Sequence, residues 1–259
     1  MILLTGSTGF IGRNIKEKIG LPLLTPTHVE LDLTDAQMVK DYLRANKPKQ
    51  IIHCASNDKA VCLYDNLRMF HNLAESGIPM ISFCTGREIE DRSYKNGEYV
   101  LSKYITKELA LNQYKHISVI QIWGCFGMYE KDIRFILKNF QRVKERHPII
   151  VYENKMFSYV YVNDLVRAIK SIVQSRLCGA HIFYYGKLIR CVAYTLSLLE
   201  LAQAIKKVTK SRHKILVEYE NVFHSYVGHN TLIFGYTVLE KALKEYWGSF
   251  NGTRSKNKH

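Results

Sequence analysis

The sequence predicts an α/β protein built on a doubly wound parallel sheet, with a smaller C-terminal α/β lobe. Three observations predict it. Short apolar runs alternate with longer stretches of helical periodicity, the first run leads straight into a glycine-rich turn, and strands joined through helices require right-handed crossovers.

The first element is Met1-Ile2-Leu3-Leu4, too short for a helix and ended by glycine, as expected of a buried parallel strand. Thr5-Gly6-Ser7-Thr8-Gly9-Phe10-Ile11-Gly12 follows. Gly6 permits a tight turn, Gly9 lets backbone approach a pyrophosphate, and Gly12 lets the next helix lie close on the sheet. That helix is expected from Gly9 to Ile19, with Phe10, Ile11, Ile15 and Ile19 as its apolar stripe, Gly20 as its stop, and its N-terminus toward phosphates. A glycine triplet alone fits any Gly-rich turn, so the flanking strand and helix give it weight.

Leu21 to Thr25 reads as a short second strand and Val29 to Leu33 as a further extended piece. Thr34-Asp35 caps a helix bearing Met38, Val39, Tyr42 and Leu43, which Lys47-Pro48-Lys49 ends. Gln50 to Ala55 is a buried strand, and its lone His53 reads as a satisfied core residue. Leu63 to Ser76 is a helix stopped by Gly77, and Met80 to Cys84 a strand running into Thr85-Gly86. Gly97 to Tyr114 is helical. Val119 to Trp123, Ile149 to Tyr152 and Phe157 to Val162 are strands, and Asn163-Asp164 opens a helix through Val173. His181 to Tyr185, Leu196 to Val208 and Lys214 to Val217 complete a set of shorter elements. Ligands of such sheets bind beyond the C-terminal strand ends, where Ala55, Ser56, Thr85 and the glycine loop should meet across one crevice.

A 47% hydrophobic content over 259 residues is ample for a core. No apolar run approaches the roughly 18 residues of a membrane span, and no basic leader precedes the first strand, so a cytoplasmic protein is expected. Six scattered cysteines without a CxxC pair point to free thiols and no metal centre. The formal charge of +14 favours a polyanionic partner: nucleic acid, an anionic membrane or a phosphate-bearing substrate. Lys138, Arg142, Lys144 and Arg146, spaced with Ile136, Phe140 and Val143, read as a solvated helix face, which disfavours nucleic acid. Further basic residues fall in 251–259, expected to be a disordered tail.

Tyr99 and Lys103 stand four apart in a helical pattern, so one face presents a phenol beside an ammonium. A phenol with a pKa near about 10 is a poor acid/base catalyst at neutral pH, and a neighbouring cation corrects this by favouring the phenolate. A Thr85 hydroxyl could hold a substrate oxygen between itself and Tyr99, giving an acid/base site for interconverting carbonyl and alcohol. Among 17 tyrosines, a YxxxK spacing alone also arises by chance.

The coincidence of TGxxGxxG at Thr5 to Gly12, LDLTD at Leu31 to Asp35, IIHCAS at Ile51 to Ser56, and Thr85 with Tyr99 and Lys103 resembles the extended short-chain dehydrogenase/reductases. Within them it is similar to the NAD-dependent epimerase/dehydratase family that modifies nucleotide sugars. Phe157 to Asp164 and Leu196 to Ala202 are similar to later family segments. The resemblance implies a Rossmann-like domain over residues 1–160 that also carries the catalytic residues, and a largely substrate-binding lobe over 161–250. It implies dinucleotide contacts from Gly6, Thr8, Gly9, Phe10, Ile11, Gly12, Arg13, Asp32, Leu33, Ala55, Ser56, Tyr99 and Lys103. Asp32 would meet the adenine and Lys103 the nicotinamide ribose. Thr85, Tyr99 and Lys103 would be catalytic, and Arg87, Trp123, Gly124 and Tyr159 would meet the nucleotide sugar. A homodimer through the helices following Leu63 and Tyr99 is a further implication.

Departures narrow the reaction. Gly86-Arg87 stands where the family's dehydratases carry an Asp-Glu pair, and Arg87 where its fucose-type epimerase/reductases carry a cysteine. Gln121 and Gly124 replace an Arg and an Asn of the family pattern. Thr25-Pro26-Thr27-His28 offers no carboxylate to a ribose 2′-hydroxyl, while Arg13 could meet a 2′-phosphate or stand as an exposed helix residue. NADP is therefore expected over NAD. The expected activity is reduction of a nucleoside-diphosphate-linked 4-keto, 6-deoxy hexose for lipopolysaccharide or capsule synthesis. An NAD-dependent 4-epimerase and a non-catalytic dinucleotide-sensing or RNA-associated protein are the alternatives.

Overall fold

The computed structural model describes residues 1–87, 97–177, 186–219, 225–231 and 235–255. The strand expected at His181 to Tyr185 lies outside them, as does Cys178. In chain order the first elements are β1 (Ile2–Thr5), α1 (Phe10–Lys18), β2 (Leu23–Leu24), α2 (Ala36–Asn46), β3 (Gln50–His53), α3 (Leu63–Ala74), β4 (Met80–Thr85), α4 (Gly97–Asn112) and β5 (Ile117–Ile122). There follow β6 (Gly124–Phe126), α5 (Phe135–Lys144), β7 (Ile149–Glu153), β8 (Met156–Tyr161) and α6 (Val162–Leu177). The last are β9 (Leu188–Cys191), β10 (Tyr194–Ser197), α7 (Leu198–Thr209), β11 (Ile215–Tyr219) and α8 (Leu239–Ser255).

The chain forms two compact units, Met1–Ile122 with Val166–Cys191, and Trp123–Leu165 with Val192–His259. This division differs from the cut expected after residue 160, because β9 returns to the first sheet as its last strand. That sheet has the order β2-β1-β3-β4-β5-β9 with every pair parallel. The chain leaves β1 to one side for β2 and to the other for β3. The β1/β3 boundary is thus the point of reversal, beyond whose C-terminal end such sheets bind ligands. Leu3, Ile51, Met80, Val119 and Phe70 belong to one buried cluster between the sheet and its helices.

The local signals act as their chemistry dictates. The Asp35 side chain accepts from the Gln37 and Met38 amides and starts α2. Gly77, at a positive φ of 68°, follows the end of α3. The extended piece expected at Val29 to Leu33 is instead a turn: the Leu31 N–H donates to the Thr27 carbonyl (3.0 Å), and Val29 is 86% exposed. Glu30 fixes that turn by accepting from the Thr27 amide (2.7 Å) and hydroxyl (2.8 Å). Only Leu31 and Leu33 of that segment turn inward.

The second unit holds a sheet of order β10-β8-β6, antiparallel at β10/β8 and parallel at β8/β6, and the parallel pair β11-β7. Its core is aromatic: Phe126 stacks on Tyr161 at 5.2 Å, and Phe140 meets Tyr246 at 5.2 Å. On α5 Ile136 and Phe140 are buried while Lys138 and Lys144 face solvent, as the spacing predicts, whereas Arg142 of the expected solvated face is half-buried and donates to the Pro148 carbonyl (2.7 Å). The helix α8 runs through Ser255, so residues 251–255 continue a helix rather than the expected disordered tail. Its buried Ala242, Leu243, Tyr246 and Phe250 recur at helical spacing and anchor it.

Candidate active site

The glycine turn is built by steric necessity at two positions. Gly6 has a positive φ of 66°, and an added Cβ would lie 2.5 Å from the Ala55 nitrogen. A Cβ on Gly12 would lie 2.1 Å from the Gly6 carbonyl oxygen, so the first turn of α1 sits directly on the loop that precedes it. That contact, more than helix-on-sheet packing, explains Gly12. Gly9 is different: its nearest heavy atom would be 3.5 Å from a Cβ, which is ordinary contact. It is the N-cap of α1, with no side-chain cap and no acidic residue in the first turn, so the helix start is left suited to an anion.

Thr5 ties this turn to β3. Its carbonyl accepts from the Cys54 N–H (3.2 Å), its hydroxyl oxygen accepts from the Ala55 N–H (3.3 Å), and Oγ1 lies 2.9 Å from His53 Nδ1. Burial, and then the Lys103 charge, push His53 down to about 3, so it is neutral and structural, the satisfied core histidine that the sequence suggests.

Beyond these strand ends opens a cavity of about 300 Å³. It is lined by the turn residues Thr5, Gly6, Ser7 and Thr8, by the apolar Leu31, Leu33, Ala55 and Met69, by Thr25, Pro26, Thr27 and His28, and by Lys16. Of the expected cofactor residues it gathers Gly6, Thr8, Leu33 and Ala55. Gly9, Phe10, Ile11, Gly12, Arg13, Asp32 and Ser56 are not among its lining. Asp32 instead accepts from the Thr34 amide (2.8 Å) and hydroxyl (2.7 Å), which hold its carboxyl below the usual range. Arg13 pairs with Glu17 at 3.1 Å. A glycine turn, an uncapped helix start and a cavity of this volume with apolar residues in its lining fit a dinucleotide.

Thr85 ends β4, and its hydroxyl accepts from the Arg87 amide at 3.3 Å. Tyr99 and Lys103 share one face of α4, the ammonium 5.6 Å from the phenol ring centre. Desolvation holds Lys103 below the ordinary lysine range, and the thiols of Cys84, Cys54 and Cys62 act weakly the other way. Lys103 borders a narrow recess with His53, Asn66, Ser82 and Ala55, and Ala55 also lines the larger cavity. The two spaces therefore share a wall at the end of β3.

Trp123, Gly124 and Tyr159 belong to the second unit, where the two aromatic side chains are buried and Gly124 packs against one of them. Tyr159 stacks on Phe157 at 4.7 Å. A Cβ on Gly124 would strike the Tyr159 ring at 2.5 Å, which explains a glycine where the family pattern has Asn. Trp123 is 6% exposed and packs so tightly on Gly228 that a Cβ there would lie 2.3 Å from the indole. Arg87 is exposed.

Residues 2–182 match the model of the NAD dependent epimerase/dehydratase family. The chain belongs to that family. It is 36% identical to a GDP-L-colitose synthase of Yersinia pseudotuberculosis over 51% of this chain and 56% of the relative. It is 37% identical to a GDP-L-fucose synthase of Azorhizobium caulinodans over 21% of this chain and 18% of the relative. The chain thus spans about half the length of one curated relative and less of the other. Among solved structures, a GDP-L-fucose synthetase from Naegleria fowleri bound to NADP superposes with a TM-score of 0.79 at 18% identity, over 98% of this chain and 93% of that one. A dTDP-4-dehydrorhamnose reductase from Bacillus anthracis in complex with NADP superposes with a TM-score of 0.78 at 18% identity, over 96% and 97%. Both likenesses establish the fold.

Within this member of the epimerase/dehydratase family, two positioning residues escape sequence reasoning. Glu98 accepts from the Cys62 (2.7 Å) and Leu63 (2.8 Å) amides, so the residue beside Tyr99 caps α3 from another helix. Asn66 is buried; it donates to Ser102 Oγ (3.1 Å) and the Asn57 carbonyl (2.8 Å) and accepts from the Asn57 N–H (2.8 Å). It thereby joins the loop after Ala55 to the helix of Tyr99 and Lys103. A polar side chain on the inner face of α3 was the available signal.

Proposed function

We propose that this protein is an NADPH-dependent reductase of a nucleoside-diphosphate-linked 4-keto, 6-deoxy hexose. The observation that carries the reading is Tyr99 and Lys103 on one face of α4, with Lys103 lining a recess that shares Ala55 with the glycine-turn cavity. Relatives named for GDP-L-colitose and GDP-L-fucose synthesis, and NADP-bound neighbours of the same fold, support the substrate class and the cofactor.

When bound, the reduced nicotinamide supplies the hydride. Gly6 and the start of α1 receive the pyrophosphate, and Leu31, Leu33 and Met69 exclude water around the base. Thr85 orients the keto oxygen. Tyr99 donates its phenolic proton to that oxygen, and Lys103 steadies the phenolate left behind. Gly86-Arg87 occupies the two positions directly after Thr85, where the family's dehydratases carry an Asp-Glu pair to help remove a hydroxyl, which favours reduction over dehydration. In this reading the enzyme works in the cytoplasm, as a homodimer through α3 and α4, and makes sugars for lipopolysaccharide or capsule. Its excess of 37 Lys and Arg over 23 Asp and Glu draws in diphosphate substrates.

Incubating the protein with keto nucleotide sugars and NADPH, while following reduced-nicotinamide absorbance and the product by NMR, tests the reading. Tyr99→Phe is expected to lose about 10²- to 10⁴-fold in turnover and to keep NADPH binding. Unchanged turnover in that variant overturns it. Tightly retained NAD with reversible sugar interconversion and no net redox change would make the enzyme a 4-epimerase.

A further inference from the structure

We infer that Lys16, rather than Arg13, is the residue that selects the 2′-phosphorylated dinucleotide. This rests on the cofactor reading above. Lys16 lines the 300 Å³ cavity together with Thr25, Pro26, Thr27 and His28, which follow the end of β2, and no carboxylate is among the lining residues. A ribose 2′-hydroxyl is ordinarily read at this place by an acidic side chain, and a 2′-phosphate by a cation.

The other charges near the cavity have partners, and His28, which also lines it, lies 3.9 Å from the Asp32 carboxylate. Glu30 has Oε2 held by both the amide and the hydroxyl of Thr27, and Asp32 has Oδ1 held in the same way by Thr34. Arg13 is bonded to Glu17 and does not line the cavity, and Lys18 donates to Asn14 at 2.7 Å. Lys16 is the cation of α1 that lines the cavity, and among the described residues it has no carboxylate within ion-pair distance. An exposed ammonium on a flexible stem is a good partner for a phosphate dianion, which it meets as a point charge with up to three donors. The same ammonium offers little to a neutral 2′-hydroxyl. Its effect should therefore fall on one of two otherwise identical ligands. The bland alternative is that Lys16 is a solvated helix lysine, which would affect neither ligand specifically.

The test is calorimetric binding of adenosine 2′,5′-bisphosphate and of 5′-AMP to the wild-type chain and to Lys16→Ala, Lys16→Arg and Lys18→Ala. Wild type is expected to bind the bisphosphate more tightly. Lys16→Ala should weaken the bisphosphate about tenfold or more and leave AMP unchanged, Lys16→Arg should recover most of the loss, and Lys18→Ala should stay within about twofold of wild type. Equal loss for both ligands in Lys16→Ala, or no loss, overturns the inference. Equal wild-type affinity for the two ligands also overturns it, while leaving a dinucleotide site intact. Failure of wild type to bind either ligand overturns the dinucleotide reading itself. A thermal melt of each variant separates lost contacts from lost folding.

Discussion

Gly12 shows how little room the site leaves to a single residue. A methyl there would enter the Gly6 carbonyl at 2.1 Å, and both contacting groups are backbone, so neither can swing aside. Gly12→Ala is expected to cost about 1–3 kcal/mol in urea unfolding and to abolish dinucleotide binding by pushing α1 off the loop; native-like values in both assays would refute the packing argument. The role of Gly6 was legible in the sequence, because a glycine after a buried strand marks a turn. The role of Gly12 was legible only as a close approach, since the partner it approaches is fixed by the fold. Arg13 and Lys16 illustrate the same limit. Both are cations on α1, and only the bond from Arg13 to Glu17 and the position of the cavity tell them apart.

At the scale of elements, the site is held by side chains that end one helix from another. The α3 N-cap, Cys62, makes no side-chain capping bond, and Glu98 from α4 takes its place. The Leu63 and Cys62 amides hold the Glu98 carboxyl below the usual range, so this support is present above the ordinary carboxylate pKa and is lost as pH falls through the lowered value. Glu98→Ala is expected to lower the melting temperature by a few degrees at neutral pH and to make no difference in strong acid, measured by circular dichroism. The elements themselves were largely visible: apolar runs, the Asp35 cap and Gly77 mark β1, α2 and the end of α3. Val29 to Leu33 misled because its alternating apolar residues suit a strand, whereas Glu30 bonds back to Thr27 and closes a turn. The helix α8 was missed because its apolar face is interrupted by lysines and glycines and only the aromatic core around Phe140 reveals what it covers.

Over the whole molecule, the two units carry buried groups of opposite pH sense. His53 is pushed down to about 3, so its contribution is intact above the ordinary histidine pKa and is lost as pH falls from about 6.5 toward that value. Glu130 is pushed up to about 8 by burial; its Oε1 accepts from the Tyr246 hydroxyl (3.0 Å) and the Leu137 amide (3.1 Å). Its contribution is intact below the ordinary carboxylate pKa and is lost as pH rises toward about 8. Unfolding free energies from urea titration are expected to be greatest over a broad top between about pH 4.5 and 6.5 and to fall on both sides by on the order of a few kcal/mol, with Glu130→Gln flattening the alkaline side; a monotonic profile would contradict this. Taken alone, the sequence determined the α/β class, the glycine turn, the cap residues and the Tyr99/Lys103 spacing, because each depends on neighbours within a few positions. The tertiary structure decided which groups share a space. Ala55 joins the cavity to the Lys103 recess, Lys16 lines that cavity where Arg13 does not, and Trp123 and Tyr159 are buried in their own unit with Gly124 packed against Tyr159. Those outcomes depend on residues tens of positions apart brought together by strand order and helix packing, which local spacing does not encode.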